Sequence, residues 1–192
     1  MTDLTGKLLI AMPAMPDPRF AHSVVLICAY SEDGAMGIII NKPLPDLRLA
    51  KLLEHLEIAQ AHAATGLGDA VRDAPVHFGG PVETSRGFVL HSPDFFCAEG
   101  SLHLTDGITL STSTEVLVDM ARGQGPGQAL VALGYAGWGP QQLETEIQAG
   151  GWLLANAAPH MLFATPDAGK WGAALDQIGV DPRMLSGATG HA

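Results

Sequence analysis

The sequence predicts an α+β fold of mainly antiparallel hairpins with flanking helices, in one domain over residues 1–192. Three observations predict it. Short apolar runs rich in Val, Leu and Ile are joined by Asp-Gly turns, as hairpins are. Helical patterns fall among these runs without the strict strand–helix alternation of a doubly wound sheet. The chain has 192 residues, 47% hydrophobic and 16% charged, which suffices for one well-filled core.

In chain order, residues 6–12 are strand-like, and Pro13, Pro16 and Pro18 then force an extended connector. Residues 20–30 read as a strand, Ser31 to Gly34 as a turn, and residues 35–41 as the return strand. With Asp33-Gly34 as a two-residue loop, Cys28 lies opposite Ile39 and Leu26 opposite Asn41. Both strands are apolar at consecutive positions, whereas a hairpin with one wet face alternates. The pair is therefore expected at the centre of the fold, covered on both sides. The segment Lys42-Pro43-Leu44-Pro45 breaks the strand. Asp46 is placed to cap a helix with Leu49, Leu52, Leu53 and Leu56 on one face. Residues 59–74 are small, polar and glycine-containing, and read as a mobile surface segment or a frayed helix end.

Residues 75–82 and 87–91 read as a second hairpin turning through Glu83 to Arg86, with Gly79-Gly80 marking a bulge or a close backbone contact. Residues 101–104 and 108–112 form a third hairpin around Asp106-Gly107. Ser113 or Thr114 caps a helix over 115–122 with Val116, Leu117 and Met120 inward. Residues 129–133 are an uncharged strand, followed by a glycine turn at Gly134, Gly137 and Gly139. Pro140 opens a helix carrying Leu143 and Ile147, and Gly150 or Gly151 closes it. Residues 152–154 begin another apolar run, 160–164 a last short strand, and 170–178 a final helix with Trp171, Leu175 and Ile178 on one face.

Charge and motifs exclude more than they assign. Ten Lys and Arg, scattered along the chain, face twenty Asp and Glu, for a net charge of −10. Phosphate-backbone binding needs a basic patch, so nucleic acid is a disfavoured partner. No run of 18 apolar residues exists, and no membrane span is expected. The N-terminus lacks the pattern of a signal peptide. Cys28 and Cys97 stand alone as core cysteines, which fits a reducing, cytoplasmic location. Phosphate-loop, dinucleotide, nucleophile-elbow, zinc-protease and C-x-x-C motifs are all missing. Of eight histidines, His77, His91 and His103 fall on strand-like runs. The simplest hairpin register puts His77 opposite Ser92 and turns His91 to the other face, so no metal site or cofactor is expected.

Polar residues that end apolar runs are displayed on a rigid frame and are the better candidates for recognition. The expected ligand site is a groove made by Asn41 and Lys42, by Phe78, Gly79, Gly80 and Pro81 with Arg86, and by Gly137, Trp138 and Gly139 with Gln142 and Glu146. Its ligand is a small molecule or another protein. Trp138 has two readings: a flat contact face, or a packed anchor in a tight corner. No catalytic residue is assigned. The enzyme alternative is a hydrolase or transferase using His77 or His91 as base with Glu146 as partner. A direct DNA-binding regulator is a further alternative that the charge opposes.

Six ordered blocks carry a resemblance: LLIAMPAMPDPRFAHSVVLIC (8–28), EDGAMGIIINKP (32–43), HFGGPVETSRGFVLHS (77–92), GYAGWGPQQLETEI (134–147), WLLANA (152–157) and LSGATGHA (185–192). Together they resemble the bacterial YqgE/AlgH family almost end to end. The resemblance implies a YqgE-type folded sheet forming a pseudo-barrel, and a protein without settled activity linked to regulation of transcription. It departs at Ala29-Tyr30, where the family usually has Glu-His, so no role of that imidazole carries over. The reading is a cytosolic binding or regulatory protein, acting indirectly on transcription.

Overall fold

The structure is a computed model describing residues 3–58, 69–97 and 100–185. It turns on one long strand, β9 (Ala129–Trp138), which the two halves of the sheet share. Before it come β1 (Lys7–Ala11), β2 (Val24–Ser31), β3 (Gly34–Ile39), β4 (Pro43–Arg48), α1 (Leu49–His55), α2 (Asp69–Arg72), β5 (Pro75–Phe78), β6 (Val82–His91), β7 (Ser101–Thr105), β8 (Ile108–Ser111) and α3 (Glu115–Ala121). After it come α4 (Gln142–Gln148), β10 (Trp152–Asn156), α5 (Pro159–Phe163), α6 (Asp167–Gln177) and α7 (Pro182–Leu185).

The strand order is β10-β1-β2-β3-β9-β6-β8-β7, curled into a half-barrel, with β4 and β5 branching off β9. Along one edge of β9, residues Ala136 to Trp138 pair with β3, and Val131 to Leu133 pair with β5 in parallel. Its other edge pairs with β6. The α+β class and the folded sheet implied by the resemblance are both present.

The central strands are covered on both sides. In β2, Val24, Val25, Leu26 and Ile27 are consecutive and all fully buried. Leu8, Ile10, Leu26 and Ile38 face a core closed by Met161 and Leu162 of α5 and by Ala174 and Leu175 of α6. Leu9, Ala11, Val25, Ile27 and Ile39 face a second core under Leu143 of α4. A third core lies under α1 and α3, where Leu49, Leu53, Val116 and Leu117 pack on Val76, Val89 and Val131.

Several sequence expectations are corrected. In the first hairpin Ser31 pairs with Gly34, so the loop is Glu32-Asp33. Leu26 lies opposite Ile38, and the register shifts at Cys28. Gly34 is needed for another reason: a Cβ there would stand 2.2 Å from the Trp138 carbonyl oxygen. Residues 43–48 form β4 rather than breaking the chain into a helix. Asp46 lies in that strand, and Arg48 stands before α1. Leu49, Leu52 and Leu53 are buried as expected, but Leu56 is exposed.

The expected pairing of 75–82 with 87–91 does not occur, because β9 enters between β5 and β6. Glu83 to Arg86 form a bulge in β6 opposite Gly134 rather than a turn. The expected turn at residues 134–139 shrinks to Gly139, Pro140 and Gln141, since β9 runs on to Trp138. Gln141 takes the left-handed conformation before α4. Residues 160–163 fall in α5, a helix opened by Pro159, and Ala164 follows its end. The third hairpin, the helix after Thr114, the strand at 152 and the helix ending before Gly179 form where expected. Of the segment 59–74, residues 59–68 lie outside the described residues.

The tightest point is the crossing of the β5–β6 link over β9. The Gly79 N–H donates to the Leu133 carbonyl at 2.8 Å, and its carbonyl accepts the Ile39 N–H at 2.9 Å. A Cβ on Gly79 would stand 2.2 Å from the Gly134 oxygen, and one on Gly134 would stand 2.4 Å from the Gly80 oxygen. Gly134 also has φ +74°, which L side chains rarely adopt. Gly134→Ala should therefore destabilise the protein by more than about 3 kcal/mol in urea unfolding. Gly87→Ala, where nothing lies within 4 Å, should change stability by less than about 1 kcal/mol.

Candidate functional site

At the α4 end of β9 a cavity of about 620 Å³ opens between the proline connector, the β6 start and α4. Met12, Met15, Phe20, Pro81, Val82 and Gly137 supply most of its apolar wall, with Trp138 and Trp152 behind them. Phe20 meets Trp152 edge to face at 5.7 Å between centroids, and Trp152 meets Trp138 in the same way at 6.0 Å. Such aromatic pairs hold one another in fixed orientation.

Glu146 organises the polar floor. Its Oε2 accepts the indole N–H of Trp138 at 3.0 Å and that of Trp152 at 2.8 Å. Its Oε1 accepts Gln142 Nε2 at 2.9 Å. Gln142 Oε1 in turn accepts the Gly139 N–H at 3.0 Å, fixing the corner that leads into α4. A half-buried carboxylate thus ties two tryptophans on separate strands to one helix. The packed-anchor reading of Trp138 fits this geometry: the ring is 7% exposed, yet it also lines the cavity. Behind it, Tyr30 donates its hydroxyl to Glu144, which pushes the phenol up to about 12.

Of the residues expected in a ligand groove, five line this cavity: Pro81, Gly137, Trp138, Gln142 and Glu146. The others lie elsewhere. Asn41 joins strands, accepting the Val24 N–H and donating to the His22 carbonyl. Lys42 donates to the Arg19 carbonyl at 2.8 Å, and partial burial lowers its pKa. Phe78 packs into the core under α4. Gly79 and Gly80 are buried at the β9 crossing, and Gly139 caps the corner. Arg86 is exposed on the β6 bulge, paired with Glu83 and lying 5.4 Å over the Phe88 ring. The sequence reading missed Met12, Met15, Phe20 and Trp152. For the first three the signal was available in a proline-spaced connector that carries large apolar side chains at Met12, Met15 and Phe20.

The histidines do not meet Glu146, so the pairing named for an enzyme is not formed. His77 Nε2 lies 3.1 Å from both oxygens of Asp167, and Nδ1 faces the Val131 carbonyl. His91 Nε2 faces Ser111 Oγ at 2.8 Å, Nδ1 faces the Ser92 carbonyl, and Ser111 Oγ meets Ser101 Oγ at 2.7 Å. His77 and His91 lie on opposite faces of the sheet, but through their separate pairings with β9 rather than a shared hairpin. Among the described residues no three His, Cys, Asp or Glu side chains converge as a metal would require. Both cysteines are buried, and burial pushes the Cys28 thiol up to about 12, far from a reactive thiolate.

Asp167 opens α6 and binds two partners. Lys170 Nζ donates to it at 2.8 Å and to the Ile40 carbonyl at 2.8 Å. Burial opposes ionisation of Asp167, but the hydrogen bonds from His77 and Lys170 outweigh it and hold the group at about 2. Burial lowers the pKa of Lys170 in turn. A carboxylate held below its unfolded value stabilises the fold above that value, and the contribution fades as pH falls through the folded one. Asp167→Asn should therefore lose about 2 kcal/mol at pH 7. The gap from the parent protein should close as pH falls from 3.8 to about 2. Denaturant unfolding at stepped pH reads both effects, and a gap that stays constant through that window rules out the assignment.

Comparison with known proteins agrees with the architecture. A UPF0301 protein of Ruegeria pomeroyi is 54% identical over 190 residues, covering 99% of this chain and 100% of that one. A UPF0301 protein of Paracoccus denitrificans is 52% identical over 193 residues, covering 100% and 98%. The solution structure of the AlgH protein from Pseudomonas aeruginosa superposes with a TM-score of 0.77 at 40% identity, covering 100% of this chain and 97% of that one. A crystal structure of a Corynebacterium diphtheriae protein shares the fold alone, with a TM-score of 0.71 at 20% identity over 97% and 93% of the two chains. The AlgH-like family model matches residues 8–183. With its curled sheet, its β9 crossing and near-complete coverage by these relatives, the chain belongs to the AlgH-like UPF0301 family.

Proposed function

We propose that the protein is a cytosolic ligand-binding regulator whose site is the 620 Å³ cavity at the end of β9. One observation carries this reading. The cavity is apolar, of ligand size, and floored by a carboxylate and an amide held by four hydrogen bonds, yet no hydroxyl, thiol or imidazole side chain lines it. Pockets for small molecules have this character: preformed, largely apolar walls with a few oriented polar atoms. Chemistry requires a nucleophile or a proton carrier within reach of the bound molecule; the candidates on this wall are the carboxylates of Asp17 and Glu146, and these are engaged by Arg19 and by the two indoles with Gln142. The role in transcription implied by the family resemblance is then indirect, because a chain of net charge −10 repels DNA phosphates.

A second reading keeps an enzyme, with Ser111 as nucleophile and His91 as base. It draws on the Ser101–Ser111–His91 hydrogen-bond chain beside a smaller cavity of about 160 Å³. It stands second because His91 and Ser111 are both 0% exposed. A fluorophosphonate probe decides it: an adduct on Ser111 that His91→Gln abolishes supports this reading, and an unlabelled Ser111 removes it.

Gly137→Val tests the leading reading. A Cβ at Gly137 makes only ordinary contacts, 3.5 Å to the Tyr135 ring and 3.9 Å to Val82, so the strand tolerates it while the side chain enters the cavity. In a thermal-shift screen followed by calorimetry, hits should lose at least about tenfold in affinity, or about 1.4 kcal/mol, with little change in the melting temperature of the free protein. Hits that bind the variant unchanged place the site elsewhere.

A further inference from the structure

This inference rests on reading the 620 Å³ cavity as a ligand site and concerns what that ligand must carry. The hydrogen-bonding capacity of the wall leans one way. Most of its donors are engaged within the protein, with Arg19 Nη1 and the second hydrogen of Gln142 Nε2 among the exceptions. Both indole N–H groups go to Glu146. The Met15 N–H goes to the Met12 carbonyl, that of Phe20 to the Asp17 carbonyl, and that of Gly151 to the Glu146 carbonyl. The Gly139 N–H goes to the Gln142 side chain, and Pro16 and Pro81 have none to offer.

An acceptor is left over. Each carboxylate oxygen takes two hydrogen bonds. Oε2 of Glu146 already has two, from Trp138 and Trp152, whereas Oε1 has one, from Gln142. The charges lean the same way. Asp17, Arg19 and Glu146 are the ionised residues of the lining. Arg19 is committed to Asp17, its Nε and Nη2 reaching both carboxylate oxygens at 2.6–3.1 Å. Lys42 lies behind this segment on the Arg19 carbonyl and does not line the cavity. The wall therefore carries one uncompensated negative charge, at Glu146, in largely apolar surroundings where a charge–charge contact is weakly screened.

We propose that the cavity takes an amphipathic organic cation, with its apolar or aromatic body against Met12, Met15 and Phe20 and its protonated amine donating to Oε1 of Glu146. An anionic ligand of the same shape would face the Glu146 carboxylate, and the one cation of the lining, Arg19, is already neutralised by Asp17. A neutral one would gain the apolar contacts alone. A charge-assisted hydrogen bond is roughly twice as strong as a neutral one, so head-group charge should order the affinities.

Three probes share an indole body and differ at the head: tryptamine, tryptophol and indolepropionate. Calorimetry with the unmodified protein at neutral pH should find tryptamine bound at least about tenfold tighter than tryptophol, and indolepropionate weakest. Glu146→Gln should reduce tryptamine to the affinity of tryptophol and leave tryptophol nearly unchanged. That variant also loses charge from the anchor of two tryptophans, so near-ultraviolet circular dichroism must first show its native signal. The head-group series on the unmodified protein stands without it. Equal affinity of the three probes, or preference for the carboxylate, overturns the cation assignment and leaves the cavity a ligand site. No binding of any probe, while screening hits remain sensitive to Gly137→Val, overturns it as well. A cavity that yields no sensitive hit at all removes the underlying reading instead.

Discussion

Backbone packed on backbone, at the place where Gly79 and Gly80 cross Gly134 and Tyr135, is the constraint on which the structure depends. At 2.1–2.4 Å from where a Cβ would stand, there is no room for any side chain. Because the chains close to this distance, β9 can hold β3 and β5 on one edge and β6 on the other, and the two halves become one curled sheet. The same crossing delivers Pro81 and Val82 over Gly137 and so builds one wall of the cavity. Glycine here serves approach and positive φ rather than turning.

Around that frame, two ionic clamps lock helices to the sheet. On one face Glu146 of α4 receives two indole N–H groups from β9 and β10. On the other, Asp167 at the start of α6 receives Lys170 and His77, and Lys170 reaches on to the Ile40 carbonyl. Charges withdrawn from water persist when paired or hydrogen-bonded: Asp167 is both, whereas Glu146 is held by hydrogen bonds from neutral donors alone. The clamps differ in what they leave open. Lys170 is almost completely buried, and its group borders a smaller cavity of about 260 Å³ with its hydrogen bonds already made to Asp167 and the Ile40 carbonyl. Glu146 is half-buried, keeps an unfilled lone pair, and borders the 620 Å³ cavity.

Groups with latent reactivity are sealed by the same packing. Cys28 lies under the first core, and His91 and Ser111 satisfy one another out of solvent. What reaches the surface is shaped wall: apolar connector, glycine strand and indole edges. The proposed binding role draws on that division.

Local chemistry was legible in the sequence. Consecutive apolar residues at Val24 to Ile27 announced a doubly covered strand, and both faces are filled. Asp106-Gly107 announced its hairpin, and Gly79-Gly80 announced a close approach. The glycine, tryptophan, glutamine and glutamate of residues 137–146, singled out for a groove, fall on the cavity at the end of β9. Pairings between distant strands were not legible. Residues 75–82 and 87–91 read as a hairpin because they are adjacent in sequence, yet β9, about forty positions later, enters between β5 and β6. Propensity and spacing act over a few residues, whereas strand order is chosen by burial summed over the whole sheet. The sequence by itself determined the fold class, the covered strands and the residue types around the site. Only the tertiary structure decided that the proline connector, β6, β9 and α4 share one cavity, because its walls come from segments more than a hundred residues apart that only folding brings together.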